Sequence, residues 1–137
     1  MINPRFLTRT VALAALAMAL GVASVVLWVA LYSEVISPGL GEPFYRAYAN
    51  RVAPIIGIVT GIPLLFVAGR FASRQAKDDW RAGAAVGIAY VLIDAPLLFA
   101  LSDDAIPWGY VALSYVTKLS SAAAGGWAAA RKPLANG

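Results

Sequence analysis

The sequence predicts an all-α integral membrane protein, a four-helix bundle forming one domain. Three observations carry this prediction. Of 137 residues, 61% are hydrophobic and 13% are charged, against about 45–50% and about 25% in a soluble globular chain. Four long apolar runs are present, each close to the ~20 residues that cross a hydrocarbon core about 30 Å thick. The basic residues gather in alternate connections between those runs, which is how charge sorts loops across a bilayer.

The first run, 11–32, contains no charge and follows Arg5 and Arg9. It exceeds the about 7–15 apolar residues of a signal-peptide core, so it reads as a retained span. The second, 52–69, lies near the lower length limit. The third, 82–101, carries Asp94, and the fourth, 108–130, carries Lys118. Segment 33–51 is the one long loop, and Pro38, Gly39, Gly41 and Pro43 give it turn chemistry. From Pro43 onward two readings stand. One is a short helix to Arg51 resting Phe44, Tyr45 and Tyr48 on the membrane surface. The other is an outward extension of the second span, bent at Pro54. Asp78-Asp79 and Asp103-Asp104 precede spans three and four and read as helix caps. The tail, 132–137, is expected to be disordered.

Orientation follows from the loops. Arg5 and Arg9, then Arg70, Arg74, Lys77 and Arg81, then Arg131 and Lys132 hold most of the eleven basic residues. The alternate segments carry Arg46 and Arg51 against Glu34, Glu42, Asp103 and Asp104. Both termini are therefore expected in the cytoplasm. Trp28, Tyr32, Tyr45, Tyr48, Trp108 and Tyr110 fall at the outer boundary, and Phe71, Trp80 and Trp127 at the inner one, as interfacial aromatic belts do. The compact, Ala- and Arg-rich chain reads as bacterial, placed in the cell's inner membrane. The net charge of +4 is thereby explained without nucleic acid; the expected partner is the lipid bilayer.

The chain has no Cys and no His. This excludes disulfides, thiolate nucleophiles and Cys/His metal sites, and removes the commonest general base near neutral pH. Ser120-Ser121 lacks a nucleophile-elbow context. No cofactor, no metal and no enzymatic activity are expected.

The chemistry concentrates in the last two spans. Their six-residue connection, 102–107, makes them antiparallel neighbours, a hairpin. Gly83, Gly87, Tyr90 and Asp94 are spaced by four, three and four and share a face; Ser114, Lys118, Ser121 and Gly125 do the same. Antiparallel pairing then sets Gly83 beside Gly125, Gly87 beside Ser121, Tyr90 beside Lys118 and Asp94 beside Ser114. The small residues let the backbones approach closely, which drives association where lipid supplies no hydrophobic force. Gly57 and Gly61 form a similar helix-packing motif in span two, serving either the bundle or a homo-oligomer.

Asp94 and Lys118 thus lie level in the hydrocarbon, where a lone charge costs at least ~2.5–3.5 kcal/mol. The long Lys118 stem reaches toward the Asp94 carboxylate. Two functions follow. In the first, the two form an intramembrane ion pair that fixes register, and the protein has a non-catalytic structural, accessory or regulatory role, alone, as a homo-oligomer or in a larger membrane complex. In the second, the protein is a small proton- or ion-coupled transporter, oligomeric, with Asp94 as the titrating group.

Overall fold

A computed structural model describes residues 3–102 and 106–131. The expected caps at Asp103-Asp104 and the tail 132–137 lie outside these residues. Four helices are present: α1 (Pro4–Leu31), α2 (Glu42–Gln75), α3 (Trp80–Leu101) and α4 (Trp108–Ala130).

α1 starts early because Asn3 caps it. The Asn3 side chain accepts from the Arg5 N–H at 3.0 Å, and Pro4 supplies a preset φ in the first turn. α1 runs on into a π-helical stretch, Tyr32–Ile36, closed by the Ser37 N–H donating to the Tyr32 carbonyl at 2.9 Å. α2 is continuous from Glu42, with Pro54 and Pro63 inside it. Segment 33–51 is therefore no long loop, and of the two readings from Pro43 the extension of span two is the one observed.

A tyrosine cluster joins α1 to α2. The Tyr45 hydroxyl accepts from the Leu40 N–H at 3.0 Å and donates to the Ser37 carbonyl at 2.8 Å. The Tyr32 and Tyr48 rings stack at 3.8 Å, and Trp28 Nε1–H donates to the Tyr48 hydroxyl at 3.0 Å. At the opposite end, α2 stops in a tight turn. Lys77 and Asp78 take left-handed backbone angles (φ 59° and 64°), and the Asp78 N–H reaches the Ser73 carbonyl at 2.9 Å. Asp79 then caps α3 through the Arg81 N–H at 3.0 Å.

The interior is built from small residues. Ala14, Ala17, Ala68, Ala72, Ala82 and Ala122 are buried, with Leu65, Val86 and Tyr90 as the larger members. α4 packs against both α2 and α3, and α1 packs on the other side of α2 and α3. A Cβ at Gly69 would strike the Ala122 backbone, and one at Gly125 the Phe66 backbone, so α2 and α4 meet main chain to main chain. Leucine, valine, isoleucine and tryptophan side chains cover the outside, including Leu20, Val26, Val59, Leu92 and Val116. A water-soluble fold would hide such a surface; here the solvent it fits is lipid.

Among the described residues, three helical stretches are long and apolar enough to cross a membrane: Pro4–Ile36, Glu42–Gln75 and Trp80–Leu101. α4 is not among them, because Ser114, Thr117, Lys118, Ser120 and Ser121 dilute its apolar content.

Candidate functional site

Tyr90 and Asp94 stand one turn apart on α3, and Tyr115 and Lys118 one turn apart on α4. They meet crosswise. Lys118 Nζ donates to the Tyr90 hydroxyl at 3.0 Å and lies 4.6 Å from the Tyr90 ring centroid. The Tyr115 hydroxyl donates to Asp94 Oδ2 at 2.8 Å. Asp94 and Lys118 form no ion pair with each other; among the described residues the one ion pair is Arg46–Glu42 at 2.7 Å. The direct contact expected from sequence is thus replaced by two tyrosine-held charges.

The reason lies on α2. The Lys118 stem lies over Gly61, so closely that an added Cβ there would stand 2.7 Å from Lys118 Cε. With its stem there, the ammonium meets Tyr90, a turn before Asp94 on α3. Lys118 is 6% exposed and Tyr90 7%, while Asp94 and Tyr115 are half-buried.

The half-burial of Asp94 comes from a cleft. A cavity of about 780 Å³ is lined by α2, α3 and α4, with Arg46, Asn50 and Ser102 toward one end and Asp94, Tyr115 and Lys118 deeper along the helices. A second cavity of about 180 Å³ lies toward Met18 and Val22 of α1 and shares Ala53, Gly57, Asp94 and Lys118 with the first. The charged side chains therefore stand at the partition between two spaces. Gly57 forms part of that partition, and a Cβ added to it would meet nothing. Within this chain Gly57 makes no packing contact and Gly61 makes one, against Lys118.

The remaining expected residues divide between two neighbours. Gly83 packs against Ala122 and Gly126, and Gly87 against Leu119 and Ala122, so both face α4. Ser114 lines the cleft near Asp94. Ser121 and Gly125 do not face α3. The Ser121 hydroxyl donates to the Ile62 carbonyl of α2, and Gly125 abuts Phe66 and Arg70 of α2. Tyr115 is the residue the sequence reading missed. The signal was available, because Tyr115 precedes Lys118 by three and shares its face.

A carboxylate with one oxygen bonded to a phenol, opening on a cleft, keeps lone pairs free for a proton, a cation or water. The buried ammonium beside it supplies the opposite charge. Among the described residues no cluster of three or more His, Cys, Asp or Glu is arranged for a metal ion. Comparison with family models, with curated proteins and with solved structures gives no match.

Proposed function

We propose that this chain is a four-span protein of a bacterial inner membrane, with both termini cytoplasmic and α3 and α4 forming an antiparallel hairpin. In this reading it is a non-catalytic carrier of protons or small cations, with Asp94 as the group that takes up and releases the charge. The cleft reaching Asp94 from the Arg46–Asn50 end is the observation that carries it. A pair serving only to fix register is better placed in a dry contact, since desolvation is offset only by close geometry.

Span four supports this reading through its placement. α4 turns Lys118, Ser121, Gly125 and Gly126 inward and leaves Leu113, Val116 and Trp127 outside. A helix with that division can face lipid despite a modest average hydropathy. The basic residues near the α2–α3 turn and both termini support the orientation.

The test is flux in liposomes holding the full chain and a pH-sensitive dye, with a potassium diffusion potential as driving force. Wild type acidifies the lumen faster than empty vesicles, and Asp94→Asn, with unchanged helix content, does not. Equal rates for wild type and Asp94→Asn would end the carrier reading.

A second reading keeps a structural or accessory role, as a homo-oligomer or in a larger membrane complex. The main-chain packing of α2 on α4 at Gly69 and Gly125 favours it, because it makes a stiff bundle. A stoichiometric partner co-purifying in mild detergent, together with absent flux, selects it.

A further inference from the structure

A separate cavity of about 270 Å³ lies between the first turns of α1 and the last turns of α2. Arg5, Arg9, Asn3, Thr10 and Gln75 contribute to its wall, and no carboxylate does. Arg5 and Arg9 are four apart, so both guanidinium groups serve one face. Neither has an acidic partner among the described residues. The α1 N-terminus and the α2 C-terminus both border this cavity, so their dipole ends offset and the two arginines supply its positive charge. Leu7 and Val11 on α1 and Phe71 on α2, each next in sequence to a residue of the cavity wall, are exposed. A polar pocket with two unneutralised arginines thus sits against an apolar surface.

We propose that this cavity binds the phosphate of an anionic phospholipid headgroup, whose acyl chains run along the Leu7–Val11 and Phe71 surfaces. Planar guanidinium groups match phosphate oxygens in pairs. Gln75 and Asn3 add amide groups for the headgroup's hydroxyls or ester oxygens. Basic pockets between spans on the cytoplasmic side suit this chemistry. The inference needs the chain to lie in a bilayer, and it does not depend on Asp94 carrying anything.

The test uses the full chain in detergent, titrated with phosphatidylglycerol or phosphatidylcholine and read by native mass spectrometry. Wild type binds the anionic lipid at least about tenfold tighter. Arg5→Gln with Arg9→Gln removes that preference, and Arg9→Gln alone reduces it; both positions are exposed, so the fold tolerates them. Arg70→Gln with Arg74→Gln, the same charge change outside the cavity, keeps it. Equal losses in the two double variants would show bulk charge attraction and overturn the site. Millimolar inorganic phosphate should not displace the lipid. Full displacement would make this a free-anion site and overturn the lipid assignment.

Discussion

The Tyr115 hydroxyl holds Asp94 at 2.8 Å from the neighbouring helix, while Tyr90, on the same helix as Asp94, holds Lys118. The two bonds differ in surroundings, and that difference predicts different costs. Removing the Tyr115 hydroxyl exposes Asp94 to a cleft where water can replace it. Tyr115→Phe should therefore lower stability by less than about 1 kcal/mol. Removing the Tyr90 hydroxyl strands a buried ammonium, and Tyr90→Phe should cost about 1.5–3 kcal/mol. Thermal unfolding in detergent measures both, and the reverse order would refute this account of the site.

The glycines give a second contrast. Gly125→Ala and Gly69→Ala each force a methyl into the backbone of a facing helix. Each should destabilise by about 1–3 kcal/mol or more. Gly61→Ala meets the Lys118 side chain, closest at Cε, and no backbone, so its effect should be smaller. Gly57→Ala meets open space and should leave stability unchanged within about 0.5 kcal/mol. Unfolding midpoints across these four variants check the ranking.

Accessibility is testable because the chain has no native cysteine. Single cysteines at Asn50 and Ser114, both lining the cleft, should react with a small charged thiol reagent. A cysteine at Val116, on the outer surface, should not react in a bilayer. For orientation, Leu40→Cys should label from outside intact cells and Ala76→Cys should not.

The turn after α2 carries a strained residue. Lys77 is left-handed at φ 59°, a conformation that costs a residue with a Cβ about 1–2 kcal/mol. Lys77→Gly should raise stability by about 1 kcal/mol. No change in unfolding midpoint would mean the surrounding turn does not demand that angle.

Much of this arrangement was legible in the sequence. Apolar run length marked the four helices, and the Asp79 cap followed from an Asp placed just before span three. The Tyr90–Lys118 contact came from spacing alone, because Tyr90 and Lys118 lie on the stripes of small and polar residues of α3 and α4. The reading failed where a third helix intervened. Ser121 and Gly125 belong to the same stripe as Lys118, yet α4 packs against both α2 and α3. A periodicity argument gives a face, and it does not say which of two neighbours that face meets. The Asp94–Lys118 contact failed for the same reason, since Gly61 on α2 opens the space that takes the Lys118 stem. The continuity of α2 through Pro54 was undecidable, because a proline both ends and kinks helices and only packing around it selects the outcome.

The tyrosine cluster between α1 and α2 has a mechanical consequence. Tyr45 clasps Ser37 and Leu40, and Tyr48 lies flat on Tyr32, so the first turns of α2 cannot swing away from α1. Arg46 and Asn50 stand on these tied turns, at one end of the cleft. Across from them, the aromatic tie among the described residues is a tilted contact, Phe99 to Trp108 at 5.7 Å, on the turn of α3 that follows Pro96. The two walls of the cleft are thus held unequally at this end, the α1–α2 wall by several polar and stacked contacts and the α3–α4 wall by one pair of aromatic rings.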